Sequence, residues 1–430
     1  MRKTIAVASL GAILAAGPAF ASGYRIPEQS LNSMALSNAY VASTPGADAA
    51  YYNPANMSWL ENRWQAEASL TWIHLTRVDY TANDIPARGG SSRSEDFALP
   101  NLHLVSPKYG DFRFGLSVVY PYGLSKRWDS PYARTFAEEF TLKTYELNPT
   151  VSYRVNDTLS IGGGIRAIHS EGTVKSNGTA VAMDLGGGNY VYSNISRDLE
   201  GDTTAYGYNL ALTWKPVANL ALAATYRSRI DLDIEGDAVL ASSQGFLGDG
   251  TPFPALTAGS YGGAAAVSVP APAVLSLATS YTCNNGRTTA EFTYDKTFWN
   301  AYDKLDFNYA SPLHPVLASA FDDPKAKNWS NAEAFRFGLS HRCTEKFTAM
   351  LGFAIDKNPA PDSTLGFELP DADARIYSLG FRYRLRDSLE MGAAYLLSDK
   401  KRRTVSNGTV DGAFDNAAAH LLNIGVRYSF

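Results

Sequence analysis

The sequence predicts an all-β protein: a transmembrane antiparallel β-barrel of about 14 strands, with a small helical N-terminal hatch in the lumen. Three features of the chain support this fold class. The N-terminus has the pattern of an export signal, long runs alternate between apolar and polar residues, and short breaks between these runs alternate with long ones.

The first residues have the organisation of a secretory signal peptide. The basic pair Arg2 and Lys3 precedes an apolar run, and Ala19-Phe20-Ala21 then fits the small-x-small cleavage rule. A membrane anchor is the less favoured alternative, because the apolar run is shorter than the roughly 20 residues that cross a bilayer. We therefore predict a signal peptide at residues 1–21.

The composition narrows the class of exported protein. Charged residues make up 19% of the chain, below the roughly 25% of soluble domains. The net charge of −4 gives no sign of nucleic-acid binding. No Cys/His spacing, phosphate loop or nucleophile motif is present, so we expect no metal, no cofactor and no enzyme activity.

Alternation of residue type is the main evidence for membrane-spanning strands. In residues 220–235, one face is almost wholly apolar and the other becomes charged towards its end. Typical strands have about five or six residues, so this run is long for a soluble sheet. The C-terminal run that ends at Phe430 has the same period, as lipid outside and a polar lumen inside require.

The breaks between these runs are of two kinds. Tight breaks predict periplasmic turns and long ones predict external loops, as in bacterial barrels. The tight breaks fall near residues 109–111, 156–157, 215–216, 284–286, 344–345 and 386–388, and the long ones near 78–94, 124–140, 174–202, 235–264, 300–329, 359–370 and 400–415. We assign residues 64–430 to the barrel.

Residues 22–63 depart from the alternating pattern. They are rich in Ala, Ser and Asn and are broken by prolines. The segment is too small for a core of its own, so it forms either a periplasmic tail or a hatch held inside the barrel. We favour the hatch, in which Asn53, Pro54 and Ala55 form a rigid turn against the wall.

Several segments together resemble the long-chain fatty acid transporter family of outer-membrane proteins (FadL/TodX type). They are SGYRIPEQSLNSMALSNAYVAST, DAAYYNPANMSWL with its Asn-Pro-Ala motif, LPNLHLVSPKYGDFRFGLSVVYPYGL, LNPTVSYRVNDTLSIGGGIRAIHS and TYRSRIDLDIEGD. The resemblance implies a fourteen-stranded barrel in the Gram-negative outer membrane. It also implies ligand capture in an apolar groove between the third and fourth external loops, transfer to an inner pocket, and lateral exit through a kink in the third strand. The hatch would shift to release the ligand.

The third strand contains residues that interrupt pairing. Pro121 has no N–H group to donate to the neighbouring strand, and Tyr122 and Gly123 follow it in the chain. These residues predict a kink in the wall, and the alternative is a plain strand end before the second external loop.

Ligand contacts are predicted from residue type. Phe246, Leu247 and Phe253 supply apolar surface in the fourth loop, and Tyr190 does so in the third. A carboxylate ligand would favour a lumen cation, for which Arg166 and Lys175 are candidates. Alternatively, the loop residues pack against each other and the cations pair with lumen acids.

Two cysteines, Cys283 and Cys343, lie at tight turns of the same periplasmic end. Strand spacing places them roughly 10 Å apart, beyond the usual limit of about 7 Å between bonded Cα atoms, although turns can lean together. The sequence leaves open a disulfide, which the oxidising periplasm favours, and two free thiols.

The family resemblance implies uptake of hydrophobic molecules, with long-chain fatty acids as the favoured substrate. The alternatives are an aromatic hydrocarbon channel, a general porin, and a surface barrel without transport, such as an adhesin. The expected partners are an apolar small molecule, outer-membrane lipid and lipopolysaccharide, and we expect a monomer.

Overall fold

The computed structural model describes residues 23–283 and 285–430. The predicted signal peptide at residues 1–21 lies outside the described residues. The wall is a closed antiparallel barrel of 14 strands, in which the first strand pairs with the second and also with the last. The predicted fold class and strand number are therefore confirmed.

The wall strands follow one another around the barrel in chain order. They are β1 (Gln65–Leu75), β2 (Glu95–Val105), β3 (Phe112–Val119 and Gly123–Arg127), β4 (Glu139–Arg154), β5 (Leu159–Gly186), β6 (Asn189–Val217), β7 (Leu220–Arg227 and Ile230–Ser242), β8 (Gly259–Ala271 and Val274–Cys283), β9 (Thr288–Thr297), β10 (Ala332–Arg342), β11 (Phe347–Asp356), β12 (Ala374–Arg386), β13 (Leu389–Lys400) and β14 (Ala418–Ser429).

The helices are short and lie either in the lumen or outside the wall. The lumen contains α1 (Leu31–Ala35), α2 (Ala49–Tyr52) and a 3₁₀ helix (Pro54–Trp59). The external loops contain α3 (Pro131–Ala137), α4 (Pro315–Phe321) and single 3₁₀ turns at Pro86–Arg88, Trp299–Ala301 and Asp362–Thr364. Within the described residues, no helix is long and apolar enough to cross a bilayer.

The alternating pattern has the expected physical cause. On β4, Tyr145, Leu147 and Val151 face outward and are exposed, whereas Glu146 and Asn148 face the lumen and are buried. Because neighbouring side chains of a strand point to opposite faces, one face of each strand meets lipid and the other packs against the hatch or the lumen.

Two of the predicted long breaks are wrong in extent. Residues 174–202 are not a loop, because β5 and β6 continue as one hairpin to a turn at Gly187 and Gly188, whose φ angles are +63° and +83°. Likewise, β7 continues to Ser242 and β8 resumes at Gly259. Outside the bilayer the outward face need not be apolar. The alternation of apolar and polar residues therefore weakens there, although the strands remain paired.

The external loops pack on one another over the outer end of the barrel. Short strands Asp79–Ala82, Gly90–Ser91, Arg403–Ser406 and Asp411–Asp415 form a four-stranded sheet. Trp128 is fully buried beneath it and donates a hydrogen bond from Nε1 to the Phe367 carbonyl oxygen at 2.9 Å. The first, second, sixth and seventh external connections therefore form one cap.

Candidate functional site

The hatch (residues 23–63) is built around polar contacts because it is too small for an apolar core. Ser30 caps α1 by accepting a hydrogen bond from the Ser33 N–H at 3.3 Å. Its own hydroxyl donates to Asp48 at 2.7 Å, and the Tyr40 hydroxyl donates to the other oxygen of that carboxylate at 3.1 Å. Asp48 therefore ties the start of α1 and the segment around Tyr40 to the start of α2.

Charged side chains of the wall hold the hatch from several sides. Arg382 donates to Asn32 Oδ1 at 2.6 Å and pairs with Glu67 of β1. Across the lumen, the Glu291 carboxylate accepts the backbone N–H groups of residues 41, 42 and 43, the last at 2.8 Å. Each of these groups has a partner in the hatch, so the wall specifies the position of the hatch.

The Asn53-Pro54-Ala55 motif lies directly against the wall. The Asn53 side chain accepts the Ala55 N–H at 3.1 Å and donates to Thr213 Oγ1 of β6 at 2.9 Å. A Cβ atom at Gly162 of β5 would lie only 2.6 Å from the Ala55 nitrogen. Glycine at position 162 thus allows the close approach of the motif.

The third wall strand is broken where Pro121, Tyr122 and Gly123 lie. Its first part ends at Val119 and its second begins at Gly123. The ladder between β2 and β3 joins Leu102–Val105 to residues 115–118 and extends no further among the described pairings. Residues 95–101 of β2 pair with β1 alone, so the wall has a gap between β2 and the second part of β3.

The hatch replaces the missing ladder at this break. Gln29 Oε1 accepts the Tyr120 N–H at 2.7 Å, and Gln29 Nε2 donates to the Tyr120 carbonyl at 2.8 Å. The Ile26 N–H donates to the Pro121 carbonyl at 2.8 Å. Pro121 has no N–H to satisfy, so the break costs little in unpaired backbone.

Two further contacts complete the backbone pairing of the break. The Thr144 hydroxyl of β4 donates to the Tyr122 carbonyl at 2.7 Å and accepts the Tyr122 N–H at 3.1 Å. The Gly123 N–H donates to the Tyr24 carbonyl at 2.9 Å. The sequence analysis did not identify the role of Gln29 at the break. The only signal for it was an amide side chain two residues after Pro27 of the hatch.

A cavity of about 530 Å³ adjoins the break. Its inner surface is largely apolar and includes Ile73, Phe97, Leu99, Ile376, Leu396 and Leu421. Glu28 of the hatch lies at its edge, where burial raises the pKa of the carboxyl above its ordinary value. Such a surface suits a ligand that is largely apolar, and the charged residues of the lining can meet a polar group of the ligand.

The same cavity reaches the outer face of the barrel. It is lined by Leu142 and Thr144, which face the lumen, and by Lys143 and Tyr145, which face outward on the same strand. Consecutive side chains of a strand point to opposite faces. One cavity can therefore touch all four only where it passes through the wall, and Ala98 on the outer face of β2 marks the opposite side of this mouth.

The structure separates the remaining predicted ligand residues from this cavity. Phe246 and Leu247 pair with the end of β6, where the Phe246 ring lies 6.1 Å from that of Tyr192, and Phe253 pairs with Gly245. Tyr190 lies near the tip of the β5–β6 hairpin. None of these predicted residues is among those lining the cavity, and their contact with ligand stays a prediction.

The two predicted cations have acidic partners. Arg166 is fully buried, pairs with Glu146 at 3.0 Å and donates to the Ser228 carbonyl at 2.7 Å. Lys175 pairs with Asp198 at 2.9 Å on the external part of β5. Neither lines the cavity, so a ligand role for them also stays a prediction.

Cys283 and Cys343 are both exposed free thiols in the structure. Each lies at the periplasmic end of its strand, at the boundary of a tight turn.

Replacing Gln29 should loosen the break. In Gln29→Ala the backbone N–H and carbonyl of the half-buried Tyr120 lose their partners, at a cost of about 1–3 kcal/mol. Hydrogen exchange of peptides covering residues 115–125 should then quicken by about tenfold or more, at 1.4 kcal/mol per decade. Gln244→Ala, in an external loop, serves as the control, and unchanged exchange in Gln29→Ala would refute the proposed pairing.

The family and its solved structures agree with this architecture. The family profile described as outer membrane protein transport protein (OMPP1/FadL/TodX) matches residues 12–430. The chain is 24% identical to outer membrane protein P1 of Haemophilus influenzae, over 97% of each chain. It is also 24% identical to the long-chain fatty acid transport protein of Escherichia coli O6:H1, over 96% of this chain and 95% of the relative.

Among solved structures, the Pseudomonas aeruginosa FadL homologue superposes with a TM-score of 0.79 at 21% identity, covering 95% of this chain and all of the other. The Pseudomonas putida toluene transporter TodX has a TM-score of 0.66 at 18% identity, covering 93% and 97%. At these identities the structures establish the fold. The chain therefore belongs to the OMPP1/FadL/TodX family, and it is an outer-membrane β-barrel transporter of hydrophobic compounds.

Proposed function

We propose that the protein carries long-chain fatty acids through the cavity and out sideways, through the break in β3, into the outer membrane. The observation that carries this proposal is the continuity of the apolar cavity with the outer face of the wall. A cavity of about 530 Å³ falls within the roughly 300–1,000 Å³ of small-molecule sites. Burial of each methylene stabilises the ligand by about 0.8 kcal/mol.

Capture on the outside is the first step of this route. Tyr190, Phe246, Leu247 and Phe253 lie together on the β5–β6 hairpin and the adjoining loop. They would offer apolar surface above the lipopolysaccharide layer, from which the ligand passes to the cavity. Release then requires the hatch segment along the break to move.

The nature of the substrate distinguishes this proposal from its alternative. One relative is described as a fatty acid transporter and a solved structure as a toluene transporter. Lys143 lines the cavity and favours a ligand with an anionic group, whereas the other two cations of the lining, Arg25 and Lys400, already pair with acids. A neutral aromatic hydrocarbon would fit the apolar part equally well but would make no use of the Lys143 charge.

Blocking the outer mouth should stop release without emptying the cavity. Ala98→Trp places a large ring at the gap, so we expect uptake of labelled oleate by intact cells to fall to near the background of cells without the protein. Ala68→Trp, also on an outward face but against paired wall, is the matched control. Equal uptake by both variants would contradict lateral exit.

Removing the hatch motif tests its part in release. Deletion of residues 53–55 removes the contacts to Thr213 and Gly162, so we expect uptake to fall while the barrel keeps its heat-resistant mobility on gels. If uptake is unchanged in the folded variant, the hatch only plugs the lumen. If the parent protein conducts ions like an open porin without apolar uptake, a porin function is favoured.

A further inference from the structure

The outer face of the wall changes from apolar to charged at the mouth of the cavity. On β4 the outward residues Tyr145, Leu147, Val151 and Tyr153 are exposed and carry no charge, and the next outward residue towards the outside is Lys143. The run from 145 to 153 spans about 26 Å along the strand at about 3.3 Å per residue. At the tilt of roughly 40° in such barrels this is about 20 Å of height, most of their apolar band of roughly 25 Å. The mouth therefore lies at the height of the lipid head groups.

Neighbouring strands show the same boundary. On β5 the outward residues pass from Ile161 and Ile165, which is 63% exposed, to Glu171. On β2 they pass from Leu102 through Ala98 to Asp96. Three strands around the mouth thus leave the apolar band at a similar level.

Lys143 differs from the other cations that line the cavity. Arg25 pairs with Asp295 at 3.3 Å and Lys400 with Asp371 at 2.6 Å. In the part of the chain that the structure describes, no ion pair within 4 Å involves Lys143, although it is exposed and lines the cavity. Its cross-strand neighbour is Glu171.

We propose that Lys143 is a head-group anchor: it binds the carboxylate of the ligand at the outer mouth as the apolar tail enters the membrane. The proposal rests on the lateral exit argued above and names the substrate class as a single-chain anionic amphiphile. A carboxylate cannot follow its tail into hydrocarbon without a large desolvation penalty. An ammonium group at head-group height keeps the carboxylate at the interface while the tail crosses the gap.

Glu171 sets the strength of this anchor. Its carboxylate lies across the strand pair from Lys143, so it competes with the ligand for the ammonium and repels the ligand's charge. Removal of the lysine and removal of the glutamate should therefore have opposite effects on an anionic ligand. Neither change should affect an uncharged ligand with the same tail.

The experiment compares oleate with methyl oleate, which have the same tail but differ in charge. Binding is measured on the full mature protein in nanodiscs of phosphatidylcholine without lipopolysaccharide, against empty nanodiscs. Exposed ion pairs are weak, so we expect Lys143→Gln to weaken oleate binding about two- to fivefold and Glu171→Gln to strengthen it. Methyl oleate binding should not change, and Lys143→Arg should restore oleate binding.

Lys346→Gln, an equal charge change in an exposed periplasmic turn, is the matched control and should bind oleate like the parent. Equal loss of oleate and methyl oleate in Lys143→Gln would mean that the lysine only shapes the mouth, and would overturn the anchor. An effect that appears only when lipopolysaccharide is added would assign Lys143 to a lipid phosphate and would also overturn it.

The anchor and the transport proposal fail in different ways. If Lys143→Gln binds oleate like the parent while Ala98→Trp still blocks uptake, only the anchor is refuted. If the parent protein takes up neither oleate nor methyl oleate, the proposed function itself is refuted.

Discussion

Backbone hydrogen bonding in a medium without water is the constraint on which this structure depends. In hydrocarbon each N–H and C=O group needs a partner within the protein, which is why β1 pairs with β14 and the sheet closes. The break in β3 violates that rule only when the wall is considered alone. Gln29, the segment around Ile26, and Thr144 supply the partners that β2 does not. The opening and the hatch are therefore a single structural unit.

That unit explains why the lumen is so highly charged. A hatch with little apolar core must be ordered by its surroundings, and Arg382, Arg336 and Glu291 all reach its backbone or side chains. Buried ion pairs stabilise weakly, since desolvation offsets their attraction. Removing one partner, however, leaves a buried charge without compensation, so such networks hold the hatch in one position. A movement of the hatch at the break would therefore have to disrupt these ion-pair networks.

The sequence predicted the barrel because lipid imposes a period of two, and it predicted the break because Pro121 cannot donate to a ladder. The prediction of a loop at residues 174–202 was wrong, because outside the bilayer lipid no longer imposes an apolar face on the strands. Gly187 and Gly188 are suited to the tight turn of the β5–β6 hairpin. Gln29 could not be found, since its partner Tyr120 is 91 residues away. For the same reason the acidic partner of Arg166 could not be identified from the sequence, because Glu146 becomes its neighbour only through strand pairing.

The position of the break in the wall matters as much as its existence. A gap in the middle of the apolar band would expose the Glu28 region to hydrocarbon, and a gap above the band would release ligand into water. In the proposed lateral exit, the apolar tail of the ligand would meet lipid at this boundary while its acid group stayed at head-group height beside Lys143. The transfer would then need no external energy, because the tail gains burial and the charge stays in a polar environment.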